Sequence, residues 1–423
     1  SGLPGTKEGC AERDCGACTV VVVDRDHHGK PTYRAINACI ALLPSMAGRE
    51  VWTVEGLAGA DAPIGGRDRS QAATLDALHP VQRAMVEHYG SQCGYCTPGF
   101  VMSMFEGYYR DEKDPAKIGE QLHGNLCRCT GYRPIREAMV ASLEAPRRPD
   151  DLFQLRLKKD VAALGAIEHA AGGERFFRPT TIDALCKLLA EHEEAELVAG
   201  ATEIGVEINK KARLFPTLIA TDGVAELARV WRTKQGWHVG GAATLTQIEE
   251  ALAGELPAID KMLRVFASRQ IRHRATLAGN VVTASPIGDL PPILLALDAE
   301  VVLRSVRGER RVPIDAFFTG YRKTVRARDE VVTEIFWPHP ADGVTRRFET
   351  YKVSKRRELD ISIVACAFVL DVRDGVDGSA AGGTSRTKTI ERARLAYGGV
   401  AATPVRAKRA EAALVGGKLD EAT

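Results

Sequence analysis

Eight of the chain's ten cysteines fall into two compact sets, and a chain that must gather four thiols twice has little freedom in how it folds around them. Cys10, Cys15, Cys18 and Cys39 read C-x4-C-x2-C with one further cysteine downstream. Cys93 and Cys96, in QCGYCTPGF, pair at a distance with Cys127 and Cys129, in GNLCRCTGYRP. The first spacing is the plant-type [2Fe–2S] ligand pattern. A zinc site or two disulfides are the other readings of the same residues. Zinc sites favour two matching C-x2-4-C pairs, which a C-x4-C-x2-C triad does not resemble.

Three close thiolates need a short loop that wraps an inorganic core and points backbone N–H groups at it. Gly9, Gly16 and Ala17 are small enough for that approach, and glycine tolerates positive φ. The β-branched run Thr19–Val23 predicts a strand directly after Cys18, and Val51–Val54 a second one. In the second set, CxxC and CxC are each weak alone, since CxxC also serves zinc and thiol redox chemistry. Their context is helical: Val81–His88 follows Pro80, and Phe100–Arg110 follows Pro98, with Val101, Met104, Phe105 and Tyr108 on one face. Cysteines at helix starts meet unpaired N–H groups and the positive dipole end, which favour an anionic cluster.

In order and spacing, GTKEGCAERDCGACTV, SQCGYCTPGF and GNLCRCTGYRPI resemble the iron–sulfur half of the xanthine dehydrogenase and aldehyde oxidase family of molybdenum hydroxylases. The resemblance implies an α+β multidomain chain. Residues 1–59 would form a partial plant-type ferredoxin β-grasp, 60–145 a helical [2Fe–2S] domain, and 146–177 a linker. Residues 178–340 would form an α/β FAD-binding domain and 341–423 a partial α+β C-terminal flavoprotein domain. Only nine residues precede Cys10, where that fold has strands and a helix, and the chain stops at Thr423 after an amphipathic stretch, Val405–Val415, that looks like the start of a longer α/β module, so both ends are expected to be truncated.

Balanced charge, 57 basic against 55 acidic side chains, gives no net field for nucleic acid. No run of eighteen apolar residues predicts a membrane span, and no leader is visible. Eight cysteines committed to iron point to a reducing cytoplasm, and Cys186 and Cys366 read as buried structural residues. A Gly-, Ala- and Asp-rich loop is expected over Gly59–Asp76 and a surface linker from Ala145 to Gly173. The basic cluster Arg304–Arg328 reads mainly as a solvated face.

A second chemistry lies further on. Ala195–Asn209 predicts a strand (Glu196–Ala199), a small-residue turn (Gly200–Thr202) and a helix start, an arrangement that can hold a pyrophosphate. It is not the G-x-G-x-x-G fingerprint, and alone it is no stronger than any Gly-rich loop. The Gly279–Asn280 turn and the Ser285–Asp289 loop read, alone, as ordinary connections. LVAGATEIGVE, ASRQIRHRATLAGNVVTASPIGDLPP and FFTGYRKT nevertheless resemble the FAD-binding domain of the same family. The resemblance implies that Leu197, Val198, Ala199, Gly200, Ala201, Thr202, Glu203 and Ile204 wrap the FAD pyrophosphate. It also implies cofactor contacts at Phe266, Thr276, Asn280, Asp289, Val332 and Lys352, with Tyr321 over the flavin where a nicotinamide approaches. Ala201 stands where the family often has Asn or Gly, and Thr276 where Ser is common. Arg356 and Arg357 read as dinucleotide-phosphate contacts or as exposed charges.

The function so implied is electron transfer from a molybdenum site through two [2Fe–2S] clusters to FAD and on to NAD. No general acid or base of this chain is required. The molybdopterin would sit on a partner subunit, in a hetero-oligomer, or on a missing C-terminal part. The alternatives are a carbon monoxide or aldehyde dehydrogenase-type relative, a stand-alone NADH diaphorase and, in a different class, a non-enzymatic zinc module.

Overall fold

The computed structural model describes residues 3–57, 75, 78–110, 117–147, 149, 151–378 and 384–419. The expected 59–76 loop lies outside the described residues apart from Leu75. The chain forms two compact units. The first comprises Ser1–Thr180, Val198–Gly223 and Ala267–Ala275, and the second comprises Thr181–Leu197, Val224–Phe266 and Thr276–Thr423.

In the first unit, valine-rich Thr19–Arg25 pairs antiparallel with Pro31–Asn37 on one side and with Val51–Trp52 on the other. The strand expected to reach Val54 ends at Trp52, because Val54–Leu57 turns into a 3-10 helix. Val21, Val23, Tyr33 and Ala35 face a helical layer of Pro80–Glu87, Thr97–Tyr109 and Arg133–Glu144. The Thr97–Tyr109 helix departs from the one-face expectation: every residue from Gly99 to Tyr109 is buried. Its sequence is apolar nearly all round, and its polar residues are buried with partners. Phe100 and Phe105 are fully buried, worth roughly 2–3 kcal/mol each in transfer free energy.

The stretch expected as linker carries a helix, Leu152–Arg156, capped by the Asp151 carboxylate, and a strand hairpin, Ile167–Ala171 with Glu174–Arg178. Glu174–Arg178 also pairs parallel with Thr217–Ala220.

The second unit holds a five-stranded sheet in the order Gly308–Pro313, Glu300–Ser305, Val331–Pro338, Gly236–Gly240 and Val230–Arg232. Every pairing in it is antiparallel, so this part is α+β rather than the α/β arrangement expected over 178–340. A four-stranded antiparallel sheet follows, built on Val344–Val353, Val364–Gly378, Thr384–Gly398 and Val405–Arg406. Gly279 and Asn280 do not form a turn. Both lie inside the helix Leu277–Val282, because the Thr276 hydroxyl caps it by accepting from the Gly279 N–H at 3.0 Å. Arg304, Arg307, Arg310 and Arg311, four of the eight cations of the basic stretch, are solvated and also pair with Asp183, Asp329, Glu330 and Glu300. Cys186 is buried, whereas Cys366 is only half-buried. Among the described residues no helix is long and apolar enough to cross a membrane.

Candidate functional site

All ten cysteines are free thiols. The first set is shaped by left-handed backbone at Ala11 (φ 56°), Arg13 (φ 70°) and Gly16 (φ 68°). These turns aim the Glu12 and Cys15 N–H groups at Cys10 Sγ, both at 3.4 Å. Cys18 ends the loop just ahead of its strand, and Cys39 lies in the 3-10 turn Ala38–Ile40. The sulfurs associate in twos. Cys15 bonds to Cys10, its thiol pushed up chiefly by burial. The Cys39 thiol donates to Cys18, pulling Cys18 down to about 6 while its own value rises. The Asn37 amide adds a long contact to Cys18 Sγ at 3.9 Å.

The second set uses helix ends. Cys96 is the N-cap residue of Thr97–Tyr109, and Cys127 and Cys129 precede Arg133–Glu144. Here too the thiols pair, Cys93 with Cys129 and Cys96 with Cys127. Burial pushes Cys96 up to about 12. Cys93 is held down by the Tyr95 N–H and then by Cys129. Burial would raise Cys127, but the Thr130 hydroxyl and N–H, at 3.2 and 3.4 Å from its sulfur, outweigh it. Among the described residues no group of three or more His, Cys, Asp or Glu is arranged around one metal ion. Each set gathers four thiols, the donor number a [2Fe–2S] cluster takes, so the donor sets fit [2Fe–2S] clusters.

Sequence reasoning did not foresee how closely the two loops approach. The Leu126 N–H donates to Cys15 O at 2.9 Å, and Asn125 Nδ2 donates to Gly16 O at 3.0 Å. A Cβ on Gly99 would stand 2.2 Å from Gly16 O, and one on Gly16 would stand 2.1 Å from Gly124 O. Glycines on both sides of this wall were the available signal. Also unforeseen is that part of SRQIRHRA belongs to this unit. Arg269 bonds to the fully buried Glu106 at 3.0 Å, Gln270 to Ser103 and Asn125, and the His273 ring N–H to Ala35 O at 2.7 Å. Burial would raise the Glu106 carboxyl, but Arg269 holds it well below the usual carboxylate range. His273 is pushed well down, chiefly by burial.

The residues expected to hold FAD are divided between the units. Val198 through Ile204 lie in the first, and Leu197, Phe266, Thr276, Asn280, Asp289, Tyr321, Val332 and Lys352 in the second. A Cβ at Gly200 would stand 1.7 Å from Arg274 O, so no larger residue fits the turn. Ala201 is left-handed (φ 60°), a conformation that costs a non-glycine residue roughly 1 kcal/mol. Glu203 is the N-cap residue of Ile204–Lys211.

In the second unit, Lys352 Nζ donates to Asp289 at 2.7 Å and to Val265 O at 3.2 Å, and the Ser362 hydroxyl donates to Asp289. Asn280 Oδ1 is buried and has no hydrogen-bond partner, an acceptor fit for a ligand donor. Phe266 ends the helix Pro257–Val265, and Val332 is buried in its strand opposite Leu303. Tyr321 is 63% exposed on the turn between Phe318–Gly320 and Lys323–Thr324. Arg356 and Arg357 are exposed beside Asp360 and Glu358.

Three families match successive parts of the chain. Residues 53–140 match the [2Fe-2S] binding domain. Residues 170–340 match the FAD binding domain in molybdopterin dehydrogenase, and 349–423 the CO dehydrogenase flavoprotein C-terminal domain. The chain is 33% identical to a xanthine dehydrogenase/oxidase of Gallus gallus, over 96% of this chain and 33% of that protein. It is also 33% identical to a xanthine dehydrogenase of Emericella nidulans, over 99% of this chain and 33% of the relative. It therefore spans about a third of the length of these relatives. Among solved structures, a carbon monoxide dehydrogenase from Hydrogenophaga pseudoflava that lacks the Mo-pyranopterin moiety of its cofactor aligns with a TM-score of 0.51 and 26% identity. That alignment covers 58% of this chain and 82% of the other.

Proposed function

We propose that this chain, which carries the N-terminal iron–sulfur and FAD part of the xanthine dehydrogenase family of molybdenum hydroxylases, conducts electrons from a molybdenum centre to NAD. The observation that carries the reading is the gathering of eight free thiols into two sets of four, one on a turn whose N–H groups face Cys10 Sγ and one on helix ends. Cys10, Cys15, Cys18 and Cys39 would hold one cluster, in a ferredoxin-like β-grasp, and Cys93, Cys96, Cys127 and Cys129 the other, in the helical domain. When bound, clusters supply one-electron carriage and flavin supplies the conversion to two-electron hydride chemistry.

The protein's own residues bind and orient. Val198–Ile204 would present backbone N–H groups to the FAD pyrophosphate. Asn280 and the Asp289–Lys352 pair would fix the rest of the cofactor, with Phe266, Thr276 and Val332 beside it. Exposed Tyr321 would meet the nicotinamide. The molybdopterin would be supplied by a partner subunit or a further part of the same protein, in the cytoplasm. The likeness to a carbon monoxide dehydrogenase supports a second reading, in which the same modules serve a different substrate.

Absorption spectroscopy with iron, sulfide and flavin analysis tests the assignment: cluster and flavin bands are expected, and a colourless zinc-loaded protein would overturn it. Gly200→Val should weaken flavin binding at least about fivefold while iron stays near the parent value, since overpacking of this size costs about 1–3 kcal/mol. Full flavin retention would remove the pyrophosphate turn from the proposal. Flavin-replete protein should pass electrons from NADH to an artificial dye without the molybdenum part, and failure would point to another acceptor.

A further inference from the structure

The helix Ile204–Lys211 begins directly after the Gly200 turn, and its far end reaches the first thiol set. Gly205 brings it against the turn that carries Cys39, since a Cβ there would stand 2.6 Å from Ile40 O. One helical turn on, Asn209 lies on the same face. Its Nδ2 donates to two carbonyls at once, Cys39 O at 2.7 Å and Ala11 O at 3.1 Å. The next residue, Lys210, brings its ammonium within 3.4 Å of Cys10 O and 3.3 Å of the Glu12 carboxylate. Ala11 holds left-handed backbone, so its carbonyl is turned out of the loop and available to an outside donor.

We propose that Asn209 and Lys210 form a clasp on the first thiol set, positioning residues that hold the Cys10 loop against Cys39 and raise the reduction potential of the cluster bound there. The proposal rests on the cluster reading given above. Polar residues near a helix C-terminus are ordinarily solvated. These two instead bond to the peptide carbonyls of two cysteines of the first set, Cys10 and Cys39, and of Ala11 beside Cys10. The reduced form of a cluster carries one more negative charge than the oxidised form. A fixed cation and N–H donors directed at its ligand loop therefore favour reduction. Lys211 provides an internal control, because it pairs with Glu207 along its own helix.

The test is a redox titration of the full chain followed by electron paramagnetic resonance, with the first-cluster signal identified as the one that Cys39→Ser abolishes. Asn209→Ala should broaden that signal and lower its midpoint. It should also release that cluster's iron to a chelator roughly threefold faster, the effect of one modest hydrogen bond. Lys210→Gln should lower the same midpoint, Lys210→Arg should restore it, and Lys211→Gln should move nothing. The second-cluster midpoint should stay constant throughout. Selective loss of the first cluster in Asn209→Ala would also support the clasp, and if that variant fails to fold, the Lys210 series decides. Unchanged midpoints in iron-replete Asn209→Ala and Lys210→Gln would overturn the clasp alone. A parent protein free of iron would overturn the cluster reading, and the clasp with it.

Discussion

The two thiol sets meet the same demand by different local physics. The first is built by backbone strain and burial: two non-glycine residues, Ala11 and Arg13, hold positive φ, and Cys18 is 3% exposed. The second is built on helix ends, with Cys96 at an N-cap, and leaves Cys93 and Cys129 exposed. A strained loop stays in place only while its surroundings over-determine it. A helix end offers N–H groups and a positive dipole, and the second set carries one left-handed non-glycine residue, Tyr132 (φ 68°), at the N-cap of Arg133–Glu144. The first set should therefore be the more demanding of its neighbours, and the second the more accessible to solvent.

The strongest challenge to this contrast is Gly16→Ala. A left-handed alanine there with its Cβ 2.1 Å from Gly124 O should cost about 4 kcal/mol, adding conformational strain to overpacking. Because the wall is shared, iron should be lost from both sets, measured as iron per chain beside a denaturation midpoint. Loss from the first set alone would show that the loops are independent.

Glu106→Gln comes next, at about 2 kcal/mol, since it takes from buried Arg269 the nearer of two carboxylates and leaves Glu120 at 3.7 Å. Its helix starts at Cys96, so the second set should fail first. The Glu106 carboxyl is lowered from 4.5, so its contribution is complete above that value. It declines as pH falls from there through the depressed folded value. The variant's stability should therefore fall less steeply in acid than the parent's, and identical acid limbs in chemical denaturation would contradict this.

The smallest effect is kinetic. In metal-free protein, iodoacetamide should reach Cys93 and Cys129 first and Cys18 last, read by peptide mass mapping. Early modification of Cys18 would reverse the assignment of which set is sheltered.

Much of this was legible in the sequence because it is local. The eight cysteines announce themselves by spacing, Pro80 and Pro98 mark helix starts, and the Gly200 turn follows an apolar run. What escaped depends on distant partners. Ser103 and Glu106 lie off the expected face of Val101, Met104, Phe105 and Tyr108, yet both are buried, because Gln270 and Arg269 arrive from far along the chain. Gly279–Asn280 has the composition of a turn, but a hydroxyl three residues earlier caps it into a helix. Thr276 could have been read as that cap, whereas nothing near Glu106 in sequence names Arg269.

The discontinuous make-up of the first unit has a consequence for synthesis. Its last segment, Ala267–Ala275, contributes Arg269 to Glu106 and His273 to Ala35, and it emerges only after two segments of the second unit, Thr181–Leu197 and Val224–Phe266, have been translated. At ordinary elongation rates the ribosome needs on the order of ten seconds to travel from Thr180 to Ala275. During that interval Glu106 lacks Arg269, and the nascent first unit must wait or be sheltered. Metal delivery to such a chain is best timed after release. Cutting the gene between residues 177 and 178 would therefore not yield a self-sufficient iron–sulfur protein.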